Sequence, residues 1–172
     1  MRLEKLILAN FRNIQSASFY PGEELTVITG ANGQGKTNLL EAVWLLTGAK
    51  SFRGAKDPQL IREGQQFAVM EGAILRQDRG EDYIRITVGT KDSPRPGRTA
   101  KLNGADAGRA SELAGLFTAV VFEPGDLELV KGSPERRRRF IDAALCQLYP
   151  GYLGTLRGHS PLIAQKNNLL KF

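Results

Sequence analysis

The protein has 172 residues, of which 41% are hydrophobic and 24% charged, enough apolar material for one good core and too much for a disordered chain. Its formal net charge is +6, and the excess is C-terminal: from Lys131 onward eight basic side chains oppose only Glu135 and Asp142. No apolar run approaches a membrane span, the opening MRLEKLILANFRN has no signal-peptide pattern, and Cys146 has neither a disulfide partner nor His or Cys neighbours at metal spacing. These features point to a cytoplasmic globular protein with no membrane association, and away from the secreted, disulfide-stapled and membrane-spanning classes. The basic end either attracts a polyanion or is a solvated surface.

In chain order, Met1 to Leu8 and the alternating Ile14 to Phe19 read as two strands of a hairpin turning around Asn10, Phe11, Arg12 and Asn13. Leu25 to Thr29 reads as a third strand, and Asn38 to Leu46 as a strong helix. Between them stands GANGQGKT: Gly30, Ala31, Asn32, Gly33, Gln34, Gly35, Lys36 and Thr37. A glycine, four residues, then Gly-Lys-Thr is the phosphate-binding loop pattern, and a strand before it with a helix behind it is the context that pattern requires. Glycines let successive amides converge on phosphate oxygens, and the helix N-terminus adds partial positive charge at the same spot. Lys36 is then the residue to reach the β- and γ-phosphates of ATP, and Thr37 the hydroxyl that ligates magnesium.

Gly48 to Gly64 reads as a polar connection containing Ser51, Phe52 and Arg53, with a short helical turn around Gln59 to Arg62. Phe67 to Leu75 and Tyr83 to Val88 form an expected hairpin across the charged turn Gln77 to Asp82, and Lys91 to Gly97 is a Pro-rich loop. Arg98 to Leu102 leads as a strand into Asn103-Gly104, the best two-residue hairpin turn in the chain. Ala107 to Leu116 is helix-prone, and Phe117 to Phe122 (FTAVVF) has the character of a fully buried strand. After a turn at Pro124-Gly125, Ser133-Pro134 caps a helix that runs to about Leu148 and stops at Pro150-Gly151. The remainder, Tyr152 to Phe172, reads as helix interrupted by Gly158 and Pro161.

A strand, Asn10-Phe11-Arg12-Asn13, a second strand and then GANGQGKT resemble the start of ABC-type ATPases of the SMC class. Val121 to Asp142, VFEPGDLELVKGSPERRRRFID, narrows the resemblance to the RecF family of bacterial DNA repair ATPases, through Pro124, Gly132, Ser133, Pro134, Arg137, Arg138, Phe140 and Asp142. Gln165 to Leu170 is similar to that family as well. Two positions depart from its pattern: Gly125 stands where an acid is usual, and Pro161 falls in what is normally an unbroken helix. The resemblance implies an α/β fold of the P-loop NTPase, ABC/SMC-like type. It would have a mixed sheet with an antiparallel part, residues 1–122 forming the N-terminal lobe of the ATP-binding head and 123–172 the start of a helical arm. It further implies a protein of recombinational repair and replication-fork maintenance that binds ATP and magnesium. Such a protein binds single-stranded DNA or duplex/single-strand junctions, dimerises on ATP, works with RecR and RecO to load recombinase, and supports the SOS response. By the same resemblance Arg12 lies beside the α-phosphate and base, although a plain surface arginine fits the sequence equally well.

The four arginines Arg136 to Arg139 advance about 100° apiece on a helix and cannot share a face. Stepping back from the apolar stripe Ile141, Ala144, Leu145 and Leu148 reaches Arg137 and Arg138, which are expected inward as ion-pairing or hydrogen-bonding residues. Arg136 and Arg139 are the candidates for DNA phosphate, with an exposed pair between Arg139 and Asp142 as the alternative.

Hydrolysis by an ABC ATPase needs a strand ending in an Asp for the metal and a Glu for the water, and a Ser-Gly signature from the partner subunit. Neither motif is found here, so no catalytic residue is assigned. In the family both lie beyond the length of this chain, which therefore resembles roughly the first half of a RecF-type protein, with an incomplete fold and weak or no turnover of its own. Two other readings stay open. One is a compact small-molecule kinase with Glu123 as its magnesium acid; the other is a non-catalytic ATP- and DNA-binding module. Ser51 and Arg53 receive no role from sequence.

Overall fold

The computed structural model describes residues 1–77, 80–149 and 151–170. The chain divides into two compact units. The first comprises Met1–Leu113 with Ala119–Val121, and the second comprises Ala114–Thr118 with Phe122–Phe172.

The first unit is built on a six-stranded sheet in the order β2-β1-β3-β4-β5-β6, with every neighbouring pair antiparallel. Its strands are β1 (Arg2–Phe11), β2 (Ile14–Phe19), β3 (Phe67–Arg76), β4 (Gly80–Gly89), β5 (Gly97–Leu102) and β6 (Ala105–Arg109). Alternation sends Leu6, Leu8, Met70, Ile74, Ile84, Ile86 and Val88 to one face, where all are buried. Helix α1 (Lys36–Leu45) supplies the buried Ala42 and Leu45, and Leu46 follows at its end. Gly72 packs directly beneath that layer: a Cβ there would lie 2.5 Å from Leu46 Cδ1, so a side chain at 72 would force Leu46 to shift.

The Asn103-Gly104 turn falls as the sequence predicts, whereas β1 runs past the expected Leu8 to Phe11, which pairs with Ile14; the turn expected around Asn10 to Asn13 narrows to Arg12-Asn13, with Arg12 at a left-handed φ of 55°. Leu102 pairs with Ala105 around Asn103 (φ 50°) and Gly104 (φ 83°), the signs a type I′ turn requires. Asn103 also fastens the neighbouring strand, accepting the Tyr83 N–H through Oδ1 at 2.8 Å and donating Nδ2 to Asp82 Oδ1 at 2.8 Å. This turn also decides the conformation of the segment after it. Ala107 to Leu116 is not a helix, because the chain leaves Gly104 already paired with β5; it continues as β6 and then a 3₁₀ turn at Ala110–Leu113. Of the expected turn Gln77 to Asp82, Asp78 and Arg79 lie outside the described residues.

Two expected strands do not form. Leu25 to Thr29 has no ladder partner among the described residues, and Leu25 and Val27 are 80% and 73% exposed. Phe117 to Phe122 is likewise irregular apart from one bridge between Ala114 and Phe117; Phe117 is buried, whereas Val120 and Phe122 are exposed. A buried parallel strand exists only where neighbours flank it, and β-propensity cannot substitute for those neighbours. The parallel part expected of a mixed sheet is therefore not formed among the described residues, and the six-stranded antiparallel sheet stands alone.

The second unit is helical: a 3₁₀ turn at Pro124–Leu127, α2 (Glu128–Lys131), α3 (Pro134–Leu148) and α4 (Tyr152–Leu169). The Ser133-Pro134 start and the Leu148 end of α3 fall as the sequence predicts, while Pro150 of the expected stop lies outside the described residues. Helix α4 runs through Gly158 and Pro161 rather than breaking there. A single proline removes one backbone donor, and helix on both sides tolerates that cost. No residue of α3 is buried, and Ile141 and Leu148 are more than half exposed. Arg137 and Arg138 are exposed rather than turned into a core: cover on this stripe reaches Ala144 and Leu145, which are half-buried, and leaves the first turns of α3 in solvent. No helix among the described residues is long and apolar enough to cross a membrane.

Candidate nucleotide-binding site

The loop Gly30–Gly35 leads directly into α1, whose first residue is Lys36. Gly30, Gly33 and Gly35 take φ values of 144°, 81° and 101°, conformations that an L side chain adopts only at a cost. Gly35 is the N-cap; no side chain caps the helix, and its first turn contains no acid. No acid of the first turn thus competes for its amide donors. Lys36 folds back over the loop and donates Nζ to the carbonyls of Gly30 (2.7 Å) and Ala31 (2.8 Å), placing an ammonium at the loop's mouth. Thr37 is exposed at the second helical position, beside it. Open amides, an ammonium and a hydroxyl are the donor set that a triphosphate with magnesium requires, so the residues fit the group.

Arg12 is no plain surface arginine. It lies 18% exposed and grips Glu41 with two bonds, Nε to Oε2 at 2.9 Å and Nη2 to Oε1 at 2.8 Å, while Nη1 donates to the Gln59 carbonyl at 2.9 Å. Its backbone N–H donates to Leu60 O at 2.9 Å, and Arg62 N–H to Asn10 O at 2.8 Å, lashing the connection at 60–62 to the β1–β2 turn. Glu41 is completely buried. Besides Arg12 it receives the Ser51 hydroxyl and, at 3.6 Å, Arg53 Nη1, so a carboxylate that would be costly alone is charge-paired and hydrogen-bonded. Beside this cluster a cleft of about 470 Å³ is lined by Arg12, Asn13, Arg62 and Glu63.

The sequence missed Glu41, Ser51 and Arg53 as a unit. One signal was available: Glu41 is the only charged residue in the apolar run Leu39 to Leu46, on the face that carries Ala42 and Leu45. A second cavity, about 380 Å³, opens on the opposite face of the sheet between Lys5, Tyr83, Arg85 and Lys101. Its lining includes no residue of the phosphate loop, and its charges are largely spent internally, with Arg85 paired to Glu71 and Lys5 over the Tyr20 ring.

In the second unit, Arg136 Nη1 donates to Gly125 O at 3.0 Å, and Arg139 pairs with Glu135 one turn earlier. The acid that Arg139 holds is thus Glu135 rather than Asp142, which accepts the Tyr152 hydroxyl at 2.7 Å. Arg137 Nη1 donates to Gly132 O at 2.9 Å and lies within 3.5 Å of the Leu129 and Val130 carbonyls, closing the end of α2. It is the carbonyl-bonding structural residue the helix geometry suggests, held at the surface. Glu123 gives its N–H to Asp126 Oδ2 at 2.9 Å. No cluster of three metal-ligating side chains occurs among the described residues.

The profile described as the RecF/RecN/SMC N terminal domain matches residues 2–128. The chain belongs to this family. Proteins named DNA replication and repair protein RecF are similar over almost the whole chain: that of Macrococcus caseolyticus is 40% identical over 171 residues, and that of Halalkalibacterium halodurans 42% over 173. The chain covers 45% and 44% of those relatives, a little under half their length. Among solved structures, the recombination mediator protein RecF with ATP superposes with a TM-score of 0.88 at 31% identity, over 98% of this chain and 44% of that one. The same protein with an ATP analogue gives 0.89. The fold is therefore the RecF-like ABC/SMC type, an open antiparallel sheet with helices, and the relatives are DNA replication and repair proteins.

Proposed function

We propose that this chain is the nucleotide-binding part of a RecF-type ATPase of DNA repair and replication, holding MgATP at Gly30–Thr37. The observation that carries the reading is the loop itself, with its three left-handed glycines, uncapped α1 N-terminus and inward-folded Lys36. With nucleotide bound, Lys36 would exchange its two carbonyl partners for phosphate oxygens, replacing contacts between an ion and a dipole with contacts between opposite charges. The loop amides leading into α1 would hold phosphate oxygens, and the Thr37 hydroxyl would be the protein ligand to magnesium. Magnesium, when bound there, neutralises charge shared between the β- and γ-phosphates.

Residues 1–122 act as the lobe of the ATP head, and 123–172 as the beginning of the helical arm. Family likeness, including the RecFOR pathway of the solved relative, supports cytoplasmic action on single-stranded or junction DNA. It also supports partnership with RecR and RecO, ATP-dependent dimerisation, recombinase loading and a part in the SOS response. Arg136 and Arg139 contact DNA phosphate.

The test is binding of ATP and junction DNA by this chain, with Lys36→Ala alongside, followed by turnover on the same samples. The variant should lose at least about tenfold in ATP affinity, the worth of one charged hydrogen bond or more, with no turnover in either protein. Equal affinity in both overturns the site; Lys36-dependent turnover by the chain alone overturns the non-hydrolytic reading.

A further inference from the structure

A continuous polar relay joins the buried Glu41 to the backbone of the phosphate loop. Asn13 Nδ2 donates to Gly33 O at 2.8 Å, Asn38 Nδ2 to Asn13 Oδ1 at 2.8 Å, and Arg53 Nη1 to Asn38 Oδ1 at 3.0 Å, with Arg53 in turn against Glu41. Each amide in this chain has one orientation available. Turning Asn38 over would set its NH₂ against the Arg53 guanidinium, and turning Asn13 over would set its oxygen against a carbonyl. Gly35 belongs to the same arrangement: a Cβ there would stand 2.9 Å from Asn13 Oδ1, so the absence of a side chain lets Asn13 reach across the loop.

At its other end Glu41 holds Arg12, which follows Phe11 at the hairpin tip and precedes Asn13 itself. The acid thereby fixes Asn13 from two directions, through the backbone of the β1–β2 turn and through Arg53 and Asn38.

We infer that Glu41 is a positioning residue for phosphate binding: without touching nucleotide, it sets the Gly33 peptide, and hence the loop amides, through Arg53, Asn38 and Asn13. The inference rests on the nucleotide-binding reading of the loop. Preorganisation of this kind acts on affinity because a loop already held in its binding shape has less ordering to lose. Local melting of the loop would otherwise be the default for an exposed, Gly-rich segment.

The test measures MgATP and inorganic triphosphate affinity for wild type, Glu41→Gln, Asn38→Ala, Asn13→Ala and the Asn13→Ala/Asn38→Ala double variant, with thermal melting of each. Asn38→Ala should weaken both ligands about fivefold, the worth of one hydrogen bond, with melting close to wild type. The double variant should be no worse than Asn13→Ala alone, because both break one relay. Glu41→Gln should weaken both ligands by at least as much as Asn38→Ala. Should that variant fail to fold, Ser51→Ala, which removes the hydroxyl partner of Glu41 and with it the acceptor that holds the Arg53 and Ala55 N–H groups, should still weaken triphosphate binding by loosening Arg53. Losses that multiply in the double variant, or wild-type affinity in Asn38→Ala or in the Glu41 or Ser51 variant, overturn the relay. Wild-type binding that survives Lys36→Ala overturns the nucleotide reading instead, so the two failures are distinguishable.

Discussion

Arg136 and Arg139 differ from Arg137 in what they hold. Arg137 spends its guanidinium on the carbonyls that end α2, whereas Arg139 is engaged by a single exposed acid and Arg136 by a single carbonyl. Exposed i,i+4 pairs contribute about 0.5 kcal/mol or less, so a phosphate can displace Glu135 at little cost. Replacing both outer arginines with alanine should weaken junction-DNA binding and lower the slope of log K against log salt by roughly one for each phosphate that is no longer neutralised. A titration at several salt concentrations reads both; an unchanged slope removes these residues from the interface. At this scale the phosphate loop was legible because its chemistry is local, fixed by residue types at fixed spacing. Glu41 was not, since Arg12 and Ser51 reach it only through a tertiary fold that brings the β1–β2 turn and the 50–60 connection onto α1.

At the scale of elements, the hairpins, α1 and α3 follow from periodicity and turn chemistry, while α4 shows where such signals mislead. Pro161 lies inside α4 and costs it a donor. Pro161→Ala should raise helicity and stabilise the segment, by up to about 3 kcal/mol if the site is an ordinary helix interior; circular dichroism with thermal melting measures it. Helices α3 and α4 are joined by Tyr152 and Asp142, and that hydrogen bond, followed by burial and the Asp142 charge, raises the Tyr152 phenol above its ordinary value. A group whose folded pKa is raised contributes its stability below the unfolded value, near 10 for tyrosine, and loses it as pH rises through the folded value. The helical signal should therefore weaken above about pH 10 in wild type, and the change should be smaller in Tyr152→Phe. Identical alkaline profiles would show that the contact contributes nothing.

For the whole molecule, the decisive observation is exposed apolar surface: Leu25, Val27, Val120, Phe122, Ile141 and Leu148 are each more than half accessible. Apolar area in water costs about 25 cal/mol per Å², and contiguous patches of it drive association. The chain should self-associate or unfold with low cooperativity. Sedimentation velocity across a concentration series, paired with calorimetry, checks this; a clean monomer with one sharp transition would contradict it. What the sequence determined by itself was what is encoded within a few residues: the phosphate-loop pattern with α1 behind it, the hairpin of β1 and β2, and the Asn103-Gly104 turn with the strand leading into it. Only the tertiary structure decided that Leu25 to Thr29 and Phe117 to Phe122 form no strand among the described residues, that Ala107 to Leu116 is divided between strand and turn, and that Glu41 joins the loop to its surroundings. The physical reason is the same in each case. A strand needs neighbours and a buried charge needs partners, and both are supplied by residues distant in the chain.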